Sequence, residues 1–439
     1  MPWSDHAIWW HVYPLGFLGA ERAALPADVP PHHRLPALAD WLDHLVALGC
    51  NGLALGPVFA SETHGYDTVD HFRIDPRLGT EDDLVDLVER AAARGVRVQL
   101  DGVFNHVGRS FGPFADVLRD GQASPYADWF VPEGDDFRTF EGHRHLVALN
   151  HAAPAVADHV AAVLGHWLDR GVAGWRLDAA YAVPRPFWRA VTDRVRARHP
   201  GAWFSGEVIH GDYAAYVTEG GLDTVTQYEL WKAVWSSLND ANPHELAWAL
   251  KRHNALLDTF APQTFVGNHD VTRIASRLDD SRHLPHALAL LFTLGGIPSV
   301  YAGDERGLLG VKEERVGGDD AVRPAFPPGG PAGLGDDGLP LQRLHQTLIG
   351  VRRRHPWLVR ARTTVHSLGN AALTYTLVDP EGGASVAVAL NFGAGHTTVG
   401  VPAAPWTHAA GDTAVDPVTG SVALPPFGWS VATSVSAPA

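Results

Sequence analysis

Four short segments in fixed order constrain this chain more than any other feature. They are Asp101-Gly-Val-Phe-Asn105-His106, Gly174-Trp-Arg176-Leu-Asp178, Gly206-Glu207-Val208 and Phe265-Val-Gly-Asn268-His269-Asp270. Each reads as a short apolar run that ends in a carboxylate or a histidine, the pattern of a buried parallel strand. In an eight-stranded α/β barrel the C-terminal strand ends gather on one face, so endings far apart in sequence converge in space. Gly-Glu-Val alone carries little information. Four such endings in order, separated by helical stretches, point to one site.

The rest of the first three hundred or so residues alternates in the same way, which implies a parallel sheet. Ile8 to Leu15 reads as the first strand, and Leu38, Trp41, Leu42, Leu45 and Leu48 follow at helical spacing. Gly52 to Val58 is the second strand. Thr80 with Asp83 forms a capping box for a helix whose apolar face is Leu84, Leu87, Val88 and Ala91. Val96 to Val103 is the third strand. The segment 107–150, rich in Gly, Pro, Asp and aromatics, shows little periodicity and reads as a functional excursion. Helical spacing returns at Pro154. Strands then end near Asp178, Glu207, Gln227, Asn268 and Tyr301, which makes eight, and the last barrel helix covers 341–354. Beyond His355, short alternating runs such as Ala372-Leu-Thr-Tyr-Thr-Leu form an antiparallel β domain. The expected organisation is a (β/α)8 TIM barrel in two parts, 1–106 and 151–355. An inserted subdomain at 107–150 follows strand 3, and a C-terminal antiparallel β-sandwich occupies 356–439.

Composition narrows the partners. A formal net charge of −15 argues against nucleic acid and anionic membranes and suits a neutral substrate such as a sugar. The single cysteine, Cys50, allows no intrachain disulfide. No basic and apolar leader opens the sequence and no run approaches a membrane span, so the expected location is cytoplasmic. His143-Arg144-His145 and the pair His32, His33 invite a metal reading, but neither comes with the further spaced ligands of a closed site, and both read as solvated loop residues.

The strand ends carry a definite chemistry. Period-two alternation puts Arg176 and Asp178 on one face of the fourth strand and Trp175 and Leu177 on the other. An inward Arg beside Asp178 is expected to lower its pKa and keep it ionised, as a nucleophile requires. Glu207 ends an adjacent strand, so the two carboxylates face one bound group, the apparatus of glycoside hydrolysis. Asp270 adds a third negative charge that helps hold a proton on Glu207. Read singly, Arg176 with Asp178 is equally a structural ion pair and Asp270 an N-cap. Asp101 divides between strand-end hydrogen bonding and substrate contact. Trp129, Phe130, Tyr181, Tyr228 and Trp231 fall near strand ends and divide between sugar stacking and core packing, with Tyr181 favoured because it follows Asp178 so closely.

These segments resemble the signature regions of the α-amylase superfamily of glycoside hydrolases (family 13), over nearly the whole chain. His64-Gly65-Tyr66-Asp67 is similar to that family's segment after strand two, and Gly296-Ile-Pro298-Ser-Val-Tyr301-Ala-Gly303-Asp304-Glu305 to its strand-eight motif. The resemblance implies Asp178 as nucleophile, Glu207 as acid/base and Asp270 as transition-state stabiliser. It also implies that Tyr66, His106, Arg176 and His269 line the subsite of the reacting glucosyl unit, with Asp101 and Tyr181 as further substrate-binding candidates. Leu146-Val-Ala-Leu-Asn150 resembles the fifth signature of the neopullulanase and cyclomaltodextrinase branch. Gly317-Gly-Asp319-Asp320-Ala-Val-Arg323-Pro resembles a segment after strand eight there, which adds Arg323 to the substrate-binding set.

Two departures from that branch stand out. Its members carry an N-terminal domain that builds their dimer, whereas this chain starts almost at the first barrel strand. After Asp178 comes Ala-Ala-Tyr181-Ala182, without the Lys-His pair typical of endo-acting α-amylases, which favours a small oligosaccharide. Asn105 matches a position that ligates calcium in many family members. No other oxygen ligands are legible, and a hard cation needs six or more, so no metal or other cofactor is assigned. The expectation is a retaining hydrolase of α-glucosidic bonds in small, maltodextrin-type α-gluco-oligosaccharides, working by double displacement as a monomer or weak homo-oligomer. The same covalent intermediate serves a transglycosylase or sugar isomerase acting on sucrose, trehalose or maltose. A catalytically dead scaffold relative is disfavoured, because all three carboxylates are present.

Overall fold

A computed structural model describes residues 3–315 and 317–435; the ends of the expected span, Met1 and Ala439, lie outside them. Eight short strands form one parallel sheet: β1 Trp9–Val12, β2 Gly52–Leu55, β3 Arg97–Gly102, β4 Gly174–Leu177, β5 Trp203–Gly206, β6 Thr224–Val225, β7 Gln263–Phe265 and β8 Ile297–Tyr301. Their order runs β6-β5-β4-β3-β2-β1-β8-β7. A parallel bridge between Thr226 and Gln263 joins the two edges, so the sheet closes as a barrel with no free edge.

Local sequence explains the helices around it. Thr80 accepts from the Asp83 backbone N–H while the Asp83 side chain takes the Thr80 N–H, and the helix Glu81–Ala92 starts there with Leu84, Leu87, Val88 and Ala91 buried. The apolar spacing over 38–48 is split into two short helices, Leu35–Ala39 and Leu42–Leu48. Trp175, fully buried, faces outward from β4 and packs on Phe59 and Phe104, while its neighbour Arg176 points inward. Gly174 permits the close approach of β4 and β5, because a Cβ there would meet the Trp203 carbonyl oxygen at 2.5 Å.

Two buried ion pairs fix the loops that carry the site. Arg77 grips Asp75 at 2.7 Å and also donates to the Thr63 carbonyl, which pins the hairpin Phe59–Ser61/Thr68–Ile74 bearing Tyr66. Arg273 donates to Asp304 at 2.8 Å and to the Ala302 carbonyl, tying the loop after β7 to the loop after β8.

The excursion between β3 and the helix Pro154–Leu168 differs from its aperiodic reading. It contains the helix Gly112–Asp120 and a three-stranded antiparallel sheet built on His106–Gly108, Thr139–Phe140 and His143–Ala148. Phe114 and Val117, three apart, bury that helix. The Gly-Pro start that suggested a loop instead opens it, with Pro113 in the first turn, where its missing N–H costs nothing.

After the helix Leu339–Arg354, the strands Thr363–Leu368, Ala372–Val378, Ala384–Asn391, Thr407–Gly411 and Trp429–Val435 make a five-stranded antiparallel sheet, and Thr397–Gly400 pairs with Ser421–Leu424. The larger sheet docks on the barrel helix Leu284–Thr293. There Thr293 and Tyr375 share a hydroxyl hydrogen bond of 2.7 Å, and His286 bonds the Asn391 carbonyl.

Candidate active site

Register brings the inward residues of neighbouring strands level. Arg176 of β4 pairs directly with Asp101 of β3, so both side chains enter the barrel at one height. The Arg176 guanidinium becomes the hub of the site. Nη1 donates to Asp101 at 2.6 Å and to Asp178 at 3.1 Å, and Nη2 lies 2.8 Å from Glu207 and 3.9 Å from Asp270. Four carboxylates from four strand ends therefore surround one fixed cation.

Each carboxylate has further partners. The loop turns sharply after Asp178, where Ala179 takes a left-handed φ of 43°. A residue with a Cβ is disfavoured there. The turn presents the Ala179 N–H to Glu207 Oε2 at 2.9 Å, and Tyr228 donates to Oε1 at 3.2 Å. Asn268 in turn donates to the Tyr228 hydroxyl at 2.9 Å. Arg323, in the loop after β8, donates to Asp270 Oδ1 at 2.8 Å and to the His269 carbonyl at 2.9 Å, and is braced by Asp319 at 3.1 Å. Tyr66 donates to Asp101 at 3.1 Å and bonds His269 Nε2, with the two rings stacked.

Electrostatics sort these acids. Burial pushes Asp101 up to about 7, with Arg176 opposing and Glu207 adding. Asp178 is raised well above the usual aspartate range, first by burial and then by the charges of Glu207, Asp101 and Asp270, which outweigh Arg176. The expected depression of Asp178 by Arg176 is thus reversed, because burial above all, with the neighbouring carboxylates, prevails over one shared guanidinium. Asp270 goes the other way. Burial opposes its ionisation, but His269, Arg323, Arg176 and Lys312 together hold it below the ordinary range. Burial keeps His269 from protonating, and its Nε2 lies 3.0 Å from Asp270. A cluster with this excess of acid over base retains a proton near neutral pH, shared among coupled sites.

A cavity of about 420 Å³ opens above the hub, within the size range of small-molecule sites. Tyr66, His106, Asp178, Tyr181, Glu207 and Asp270 line it. Asp101, Arg176, His269 and Arg323 do not; they stand behind the lining residues and touch them. His106 stacks on Phe140 at 4.7 Å, and its buried Nε2 has no hydrogen-bond partner. Tyr181 donates to Glu141 at 2.8 Å across the cavity mouth. Glu141, Phe140, Lys312 and Asp319 also line the cavity and were not legible as site residues. They reach it only through the folding of the excursion and of the loop after β8. Trp129 and Phe130 are buried within the excursion, against His159 and Phe114 respectively, and belong to its core rather than to a sugar platform. Trp231 stacks on Phe265 and lines an outer groove.

Asn105 is buried with its carboxamide nitrogen 3.0 Å from His106 Nδ1, where it orients that ring. Among the described residues no group of three or more His, Cys, Asp or Glu side chains is placed to hold a metal. Nor is any described helix long and apolar enough to cross a membrane.

Comparison with known proteins identifies the family and the fold. The catalytic-domain model of the alpha-amylase family matches residues 34–358. A cyclomaltodextrinase from a Bacillus species is 34% identical over 337 residues, covering 70% of this chain and 60% of the relative. The intracellular maltogenic amylase of Bacillus subtilis strain 168 is 29% identical over 338 residues, or 70% of this chain and 56% of the relative. The chain thus spans about 60% of the length of such curated relatives. Among solved structures, the ligand-free cyclic alpha-maltosyl-(1→6)-maltose hydrolase from Arthrobacter globiformis superposes with a TM-score of 0.83 at 28% identity, covering 99% of this chain and 100% of its own.

Proposed function

This chain belongs to the alpha-amylase family of glycoside hydrolases, and from that premise we propose that it cleaves α-glucosidic bonds of small or cyclic α-gluco-oligosaccharides with retention of configuration. The observation that carries the reading is the bracing of Asp178, Glu207 and Asp270 by one guanidinium that stands behind the cavity wall. The relatives' names, cyclomaltodextrinase and maltogenic amylase among them, support the substrate class.

In this account Glu207 donates its proton to the glycosidic oxygen as the C1–O bond breaks, and the Asp178 carboxylate forms an ester at C1. The leaving sugar departs as the alcohol. A water molecule then gives a proton to the Glu207 carboxylate and attacks C1, and the ester bond to Asp178 breaks. Each cycle thereby restores both acids. Asp270, held ionised by its neighbours, accepts hydrogen bonds from hydroxyls of the reacting ring and stabilises the positive charge that builds at C1.

Arg323 acts through Asp270 as a positioning residue. Replacing it by Gln removes a charge-assisted bond worth roughly 1.5–3 kcal/mol, so kcat is expected to fall about 10- to 100-fold with KM little changed. A rise in KM at constant kcat would instead make Arg323 a direct substrate contact.

The proposal is tested by resolving products from maltose, maltotriose, panose, trehalose, sucrose, a cyclodextrin and soluble starch. Glucose and maltose released from the small α-glucans, in excess over starch, support it. Longer or isomerised sugars as the main products would make the enzyme a transferase. No release from any α-glucan would overturn it.

A further inference from the structure

The catalytic cavity continues past the Glu207 side of the hub. A second groove of about 380 Å³ shares Ile209 and Tyr228 with it, and the Tyr228 hydroxyl donates to Glu207. The groove runs along the helices Tyr228–Asn239 and His244–Leu256 and is walled by Glu229, Trp231, Glu245 and Trp248. All fifteen tryptophans lie among the described residues, and Trp248 alone is exposed, at 60%.

Isolated exposed apolar side chains need no explanation, but this one stands at a groove joined to the catalytic cavity. Lys251 sits over the indole ring, 5.5 Å from its centroid, which restrains it without covering the groove. Glu245 is held by Lys232 at 2.5 Å and by Ser236 at 2.7 Å, and Glu229 by Arg252 at 2.5 Å. Fixed carboxylates beside a restrained aromatic face match the two sides of a glucosyl unit, its ring of hydroxyls and its C–H face.

We propose that this groove binds the α-glucan beyond the leaving group, with Trp248 as the stacking platform for glucosyl units that follow the scissile bond. The inference rests on the reading of Glu207 as the proton donor, which makes its side of the hub the leaving-group side. The enzyme therefore prefers chains long enough to reach Trp248 over those that end at the catalytic cavity.

The test compares Trp248→Ala and Trp248→Phe with the unaltered chain on maltoheptaose and maltotriose. The ratio of kcat/KM for the longer over the shorter substrate falls about tenfold in Trp248→Ala, the loss that accompanies an aromatic anchor, and is largely restored in Trp248→Phe. An unchanged ratio in Trp248→Ala, or a Trp248→Phe protein no better than Trp248→Ala, overturns the groove assignment while leaving the hydrolase reading intact. If the unaltered chain cleaves neither substrate, the hydrolase reading itself fails and the groove assignment falls with it.

Discussion

Asp178→Asn is expected to remove nearly all turnover, on the order of 10⁴-fold or more as for the loss of other nucleophiles, while the protein becomes more resistant to heat at neutral pH. The first effect follows because a carboxamide does not form the ester. The second follows from the crowding of four acids around Arg176. Burial and the neighbouring carboxylates raise the folded-state pKa of Asp178, so the ionised form is destabilising above the unfolded value of about 3.9. A neutral Asn lifts that penalty. The gain in Tm should be present at neutral pH and fade as pH falls through the ordinary aspartate range, where Asp178 is protonated in both states. Calorimetry of the two proteins at pH 7 and pH 3.5 reads this directly. The acid limb of kcat/KM has the same origin. Activity requires ionised Asp178, so it is lost as pH falls through a value above the usual aspartate range, and the loss begins closer to neutrality than an exposed aspartate would allow.

Glu207→Gln should divide substrates by leaving group. Natural oligosaccharides need a proton on the departing oxygen, and losing it costs on the order of 10²–10⁴-fold. Activated aryl glycosides leave without protonation and should lose far less in the first chemical step. The Gln side chain keeps contacts available to the Ala179 N–H and the Tyr228 hydroxyl, which lie 2.9 and 3.2 Å from the Glu207 oxygens, so the fold and the cavity should persist. Steady-state rates on maltotriose and on a nitrophenyl maltoside decide the matter. Equal losses on both would remove Glu207 from the acid role.

The barrel was legible because its signals are local. Period two in Val172 to Asp178 sends Trp175 out and Arg176 in, and the capping box at Thr80 marks a helix start within four residues. The convergence of Asp101, Arg176, Glu207 and Asp270 on one face also followed from strand endings alone. The excursion was less legible, because Gly112-Pro113 is as compatible with a turn as with a first helical turn, and its apolar positions Phe114 and Val117 are few. Contacts that depend on the folding of separate segments left no mark in the sequence. Glu141 meets Tyr181 across 40 residues, and Lys312 and Asp319 approach the cavity from the loop after β8. Charge was misjudged at Asp178 for a related reason. Arg176 two residues away suggested a private partner, whereas the fold buries Asp178 and makes Arg176 divide its donors among acids from four strands.

On the proposed mechanism Asp178 and Glu207 act on the reacting carbon in two successive displacements. They end neighbouring strands, and opposite nitrogens of one guanidinium hold their oxygens at 3.1 and 2.8 Å. This closeness favours the separation of about 5–5.5 Å typical of retaining pairs over the wider gap that admits a water for single displacement. Proton NMR of the first product released from an α-linked maltooligosaccharide, recorded before mutarotation, tests this most directly. The α-anomer is expected first; the β-anomer appearing first would contradict double displacement and remove Asp178 as the nucleophile.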